Sequence, residues 1–197
     1  MRAAIVGLVR LLIGLFYRRF ETTGFERIPA EGPALLVANH FNSLVDPMLV
    51  IAAVDRPVTF VAKSTLWRVP ALRPVLRALG VVPIVRRVDV EKEGETGGKA
   101  RNEESFERLA AVLRAGGVVL IFPEGRSHSE PALSPVKTGA ARILKMVERD
   151  VAVVPLGLFF TRKDEFRSDV LVAAGERVRV PDDREVEATT ESIRAGL

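Results

Sequence analysis

Two histidines occur among the 197 residues, and the first stands where it could move a proton. His40 lies in the polar block NHFNSLVDP (residues 39–47), six positions before Asp46. Imidazole suits removal of a hydroxyl proton at neutral pH. It works best when a carboxylate holds its other ring nitrogen and favours the imidazolium that forms. His40 and Asp46 supply both groups. The second histidine, His128, sits in FPEGRSHSEP (residues 122–131). No carboxylate follows it at the spacing Asp46 keeps from His40, so it reads as a loop or binding-site residue rather than a base. With no cysteine in the chain, disulfides, thiolate nucleophiles and cysteine zinc sites are excluded. Two histidines are too few for a three-histidine metal site, and no metal is expected.

The net charge of +4 is local. Arg2, Arg10, Arg18 and Arg19 stand in the first twenty residues without an acid, and the remainder of the chain balances to zero. Between those arginines the segment is almost wholly apolar. A spanning helix wants roughly 20 uninterrupted apolar residues, and Arg10 breaks this run. The same arginine, and the lack of a small-residue cleavage site before Arg18-Arg19, argue against a secretory signal. Residues 1–20 are therefore expected as an amphipathic helix in the membrane interface, with arginines reaching lipid headgroups. The competing reading is a first helix packed on the domain core. A second asymmetry runs from Arg56 to Val88, with seven basic residues and no acid, ending in GVVPIVRR with Arg86 and Arg87. Such a stretch suits an anionic ligand or a membrane surface. With one Trp, one Tyr and no nucleic-acid motif, nucleic acid is not expected as a partner.

These residues need elements to place them. Short apolar runs at 34–38 (ALLVA), 58–62, 81–85, 118–122, 151–158 and 170–173 predict buried strands. The proline in VVPIV points to an edge strand or a strand end. Asp46 as N-cap with Pro47 behind it predicts a helix over MLVIAAV. Further helices are expected at 71–79, 103–114 and 139–147, with an exposed charged loop at 88–102 and another loop at 127–137. Alternating strands and helices predict a single α/β domain, with a mixed, largely parallel sheet flanked by helices. The expected organisation is an interface helix (1–20), the α/β domain (21–180) and a C-terminal tail (181–197) that begins to look helical and is possible evidence of truncation. The polar blocks directly follow apolar runs, as ligand sites do at the carboxyl ends of parallel strands.

Taken together, NHFNSLVDP, GVVPIVRR, FPEGRSHSEP and the late VPLGL (residues 154–158) resemble, in content and order, the PlsC-like glycerolipid acyltransferase family. The likeness runs from about residue 24 to 177. Five residues separate His40 from Asp46 where the family usually has four, and this, with Asp46-Pro47 and His128-Ser129, resembles the branch that acylates glycerol 3-phosphate or related three-carbon phosphates. The resemblance implies transfer of an acyl group from acyl-CoA or acyl carrier protein, the co-substrate rather than a cofactor, to a hydroxyl of lysophosphatidate or another glycerol phosphate. It makes His40 the base and Asp46 its orienter. Arg87, with Arg86 beside it, and Glu124-Gly125 fall at its acceptor site, and Arg126 and Lys137 add charge there. A phosphate monoester wants guanidinium forks and backbone N–H groups, and Gly125 allows close backbone approach. Glu124 could accept from an acceptor hydroxyl or pair with an arginine. Pro155 would shape a strand end. The implied enzyme is peripheral or monotopic on the cytoplasmic face of a membrane. A non-catalytic anionic-lipid-binding module that kept the fold is the alternative of another class.

Overall fold

The computed structural model describes residues 1–85, 98–130 and 132–197, without the side chains of 98–100. Arg86 and Arg87, and residues 88–97 of the expected charged loop, lie outside the described residues. In chain order the elements are α1 (Arg2–Phe16), β1 (Arg19–Thr23), β2 (Ala34–Ala38), α2 (Val45–Ala53), β3 (Val58–Lys63), α3 (Arg73–Ala78), β4 (Val82–Ile84), α4 (Gly98–Arg114), β5 (Val118–Ile121), α5 (Gly139–Lys145), β6 (Ala152–Phe160), β7 (Asp169–Ala174) and α6 (Val186–Gly196). Three 3₁₀ turns fill Phe25–Arg27, Ser64–Arg68 and Pro70–Leu72.

Seven strands form one sheet in the order β1-β7-β6-β2-β5-β3-β4. Among the described residues β6 and β7 pair antiparallel, and the other neighbouring strands pair parallel. Central β2 is buried on both faces, which is why ALLVA reads as a continuous apolar run. Its residues divide by the strand period of two. Ala34, Leu36 and Ala38 join α1, α2 and α3 in one core, and Leu35 and Val37 join α4, α5 and α6 in the other. The result is a helix–sheet–helix sandwich, the α/β domain with a largely parallel sheet that the sequence predicts. Strand β4, with Pro83 at its centre, is one edge of the sheet.

Several expectations change. Residues 19–23 form β1, an exposed edge strand whose sequence RFETT carries no apolar run. Helix α4 begins at Gly98, inside the expected loop. Residues 181–197, expected as a tail, carry α6, whose Ile193 is fully buried in the second core. The helical look of this stretch is met, and the segment packs on the domain rather than trailing from it. Pro155 lies within β6, opposite Val37 of β2, and its carbonyl accepts from Gly175 N–H at 2.9 Å, where the β6–β7 ladder stops.

The first helix departs most from its sequence reading. Arg2 and Arg10 of the helix, and Arg18 just beyond its end, turn toward the protein. Arg2 donates to the carbonyls of Leu79 and Val58 (both 2.8 Å). Arg10 donates to Ala52 O (3.0 Å), in the last turn of α2, and pairs with Asp55. Arg18 grips Asp169 through Nε and a terminal nitrogen (2.9 and 2.6 Å), and this fork holds the Asp169 carboxyl below its usual range. Helix α1 therefore runs antiparallel to α2, with Val9 and Ile13 on the core. Leu8, Leu11, Leu12 and Leu15, at helical spacing, are 50–67% exposed. One stripe thus packs on the core, as the competing reading expects, while the outward face is apolar and carries none of these three guanidinium groups. Among the described residues no helix is long and apolar enough to cross a membrane.

Candidate active site

Three loops meet at the carboxyl ends of β2, β5 and β6, and hydrogen bonds between chemically unlike groups join them. After β2, Asn39 acts as a substitute strand residue. Its amide donates to Leu158 O (3.0 Å) and accepts from Leu158 N–H (2.7 Å), which fastens the start of the 39–44 loop to β6. His40 follows, its ring stacked on Phe122 with centroids 4.1 Å apart and planes at 18°. Its Nδ1 lies 2.8 Å from Asp46 Oδ2. A carboxylate can only accept, so Nδ1 carries the hydrogen and Nε2 is left bare to receive a proton. The His40 side chain is 16% exposed and that of Asp46 fully buried.

Asp46 does not cap α2 as expected. The helix starts at Val45, Leu44 occupies the cap position without a side-chain bond, and Asp46 stands in the first turn. Its Oδ2 accepts from Asn42 N–H (2.8 Å) as well as from His40. With five residues between them, His40 and Asp46 meet through this turn. The helix N-terminus favours a carboxylate there. Oδ1 of Asp46 is buried without a hydrogen bond, as is the hydroxyl of Tyr17 at the end of α1. Burial first, and the charge of Asp46 second, push the Tyr17 phenol up to about 12, with Asn42 opposing in part.

The loop after β5 holds His40 from behind. Glu124 is buried, and both its oxygens are engaged. Oε1 accepts from His40 N–H (2.9 Å), while Oε2 accepts from Ser134 N–H (2.7 Å) and meets His128 Nε2. The sequence reading allowed an arginine partner, but among the described residues no arginine pairs with Glu124; the donors that reach it are the His40 and Ser134 N–H groups and the His128 ring. The reading of His128 changes with it, because its carboxylate partner precedes it by four residues instead of following it. His128 N–H also donates to His40 O (3.0 Å).

Gly125 has a φ of +68°, and a Cβ there would lie 2.7 Å from Lys137 Nζ. What approaches Gly125 closely is the Lys137 side chain. Lys137 and Arg126 are both exposed on this rim, as is Lys63 at the end of β3. Arg56, by contrast, binds the carbonyls of Pro29, Gly32 and Gly116 at the amino end of the sheet, so the acid-free basic run does not form one surface. Lys163, which sequence reasoning passed over, donates to Phe41 O (3.1 Å) and Ser129 Oγ (2.6 Å) and closes the third side. Asn39 and the Glu124–His128 pair were also missed. Adjacency to His40 and the spacing of four were signals for them; Lys163 had none. Among the described residues no group of three potential ligands could hold a metal ion.

Comparisons with known proteins bear on the fold and the family. The fold resembles the crystal structure of the 1-acyl-sn-glycerophosphate (LPA) acyltransferase PlsC from Thermotoga maritima, with a TM-score of 0.70 at 20% identity, covering 98% of this chain and 77% of that one. A 1-acyl-sn-glycerol-3-phosphate acyltransferase of Borreliella burgdorferi is 26% identical over 162 residues, covering 82% of this chain and 58% of the relative. Glycerol-3-phosphate O-acyltransferase 2 of Saccharomyces cerevisiae is 41% identical over 87 residues, covering 42% of this chain and 12% of the relative. The matched stretches are thus less than two thirds of the length of these curated relatives. The family model described as Acyltransferase matches residues 19–158, a span that holds His40, Asp46, Glu124 and Lys137. Since that span exceeds two thirds of the chain, this protein belongs to the acyltransferase family.

Proposed function

We propose that the protein is a membrane-associated O-acyltransferase of glycerolipid synthesis. It moves a fatty acyl group from acyl-CoA or acyl carrier protein to a hydroxyl of lysophosphatidate. The observation that carries this reading is the 2.8 Å contact between His40 Nδ1 and buried Asp46 Oδ2 at a strand end. His40 Nε2 removes the acceptor's hydroxyl proton as the oxygen attacks the thioester carbonyl carbon. The tetrahedral intermediate then collapses, the carbon–sulfur bond breaks, and the thiolate recovers the proton from the imidazolium. Asp46 keeps the ring oriented and favours its charged form. Arg126 and Lys137, exposed on the same rim, contact the acceptor phosphate. The intact histidine–aspartate pair favours this reading over a non-catalytic lipid-binding module.

The acceptor is amphiphilic, and the outward leucines of α1 suit a protein lying peripherally on the cytoplasmic leaflet that draws substrate from it. A second reading, glycerol 3-phosphate as acceptor, is favoured by the 41% identity with the yeast glycerol-3-phosphate acyltransferase. Labelled acyl-CoA and acyl carrier protein, each offered with lysophosphatidate in vesicles and with glycerol 3-phosphate in solution, decide between them. Labelled phosphatidate supports the first reading and labelled lysophosphatidate the second; transfer to neither overturns both.

A further inference from the structure

The 122–134 loop grips the main chain of His40 at both ends. Glu124 Oε1 takes the N–H of His40 (2.9 Å), and the backbone N–H of His128 reaches its C=O (3.0 Å). Glu124 is in turn anchored through Oε2 by Ser134 N–H (2.7 Å) and by His128 Nε2. The His128 side chain is 7% exposed, and the ring of Phe41 stands against it, with centroids 5.3 Å apart and planes at 80°. Its Nδ1 is buried without a partner, a position that suits a bare lone pair and not an N–H, so the hydrogen sits on Nε2 and points at Glu124.

We infer that His128 is a positioning residue for His40: through Glu124 it fixes the backbone on which the base is mounted. The inference rests on the transferase reading for its kinetic test. The ring of His40 is held at Nδ1 by Asp46 and on its face by Phe122. Those contacts orient the ring only if residue 40 itself stays still. Without the His128 donor, Oε2 keeps a single partner, and the buried carboxylate is free to swing and draw Oε1 off the His40 amide. A displacement of about 1 Å at a catalytic group can cost on the order of a hundredfold in turnover. Neither His128 ring nitrogen is left for substrate: Nε2 is spent on Glu124, and Nδ1 is sealed from solvent.

Two substitutions separate this role from bulk packing. A glutamine amide reaches the place of Nε2, whereas the shorter asparagine amide reaches only that of Nδ1. His128→Gln should therefore keep kcat within about threefold, while His128→Asn loses on the order of a hundredfold. KM for acyl donor and acceptor should hold within about twofold in both. The downfield Nδ1–H resonance of His40 in ¹⁵N-labelled protein should persist in His128→Gln and broaden or shift in His128→Asn. Equal kcat in the two variants, or a loss that appears in acceptor KM, would overturn the inference. If wild type transfers to no acceptor, the transferase reading fails on its own. The resonance then decides for His128: a difference between the variants supports the brace and identical spectra refute it.

Discussion

Glu124→Gln tests whether the glutamate of the FPEG block holds the site or binds the acceptor. The substitution keeps the volume and replaces one acceptor oxygen by an NH₂ group. If the remaining oxygen stays on His40 N–H, the new amide nitrogen faces two donors, Ser134 N–H and His128 Nε2–H. Each hydrogen bond to a charged group contributes roughly 1.5–3 kcal/mol, so losing two costs about 3–6 kcal/mol. His128 can recover one bond by moving its hydrogen to Nδ1, but that nitrogen is buried with nothing to receive it, at a cost of about 1–3 kcal/mol. The net loss is about 2.5–6 kcal/mol, against a typical stability of about 5–15 kcal/mol. For a chain of this size the midpoint of thermal unfolding should fall by about 5–24 °C. In the transfer assay kcat should drop about tenfold to a hundredfold, while acceptor KM stays within about twofold. An unchanged melting temperature together with a raised acceptor KM would show Glu124 touching substrate and refute the reasoning.

Other consequences follow from the same geometry. Asp46→Asn removes the charge that holds Nδ1–H and should lower kcat by about a thousandfold or more, with a folded protein by circular dichroism; a loss below tenfold would contradict the pairing. Tyr17 is the chain's one tyrosine, so its phenolate absorbance can be followed alone. It should titrate near 12 in the folded protein, against about 10 unfolded. Between those values the folded state keeps a proton that the unfolded state has lost. Tyr17 therefore contributes stability below pH 10 that is lost as pH rises toward 12, by roughly 2–3 kcal/mol, and Tyr17→Phe should abolish this component in urea titrations at stepped pH. Joint Leu11→Asp and Leu15→Asp substitution removes two apolar groups worth about 1.5–3 kcal/mol each at an interface and should weaken sedimentation with phospholipid vesicles about a hundredfold or more; unchanged sedimentation would contradict the proposed role of α1.

The strands around the site were legible because each is a short apolar run buried on both faces; ALLVA and VVLI need no partner to be read. Edge strand β1 was not, since RFETT buries little and its pairing with β7 joins residues about 150 positions apart. The histidine and aspartate were legible as residue types at a spacing, and the structure shows them bonded. Partners fixed by tertiary approach were not. Glu124 was read by its charge, but three donors arriving from residues 40, 128 and 134 determine what it does. Arg2, Arg10 and Arg18 read as outward because basic residues on apolar helices commonly serve lipid. Their actual partners are carbonyls and carboxylates at 52–58, 79 and 169, which no local pattern announces.

The central claim is that His40 is the base, and His40→Ala tests it most directly. With labelled acyl-CoA and saturating acceptor, wild type should form labelled product. The alanine variant should turn over about 10²–10⁴-fold more slowly, with its fold and its vesicle binding unchanged. A folded alanine variant that transfers acyl groups at the wild-type rate would contradict the account.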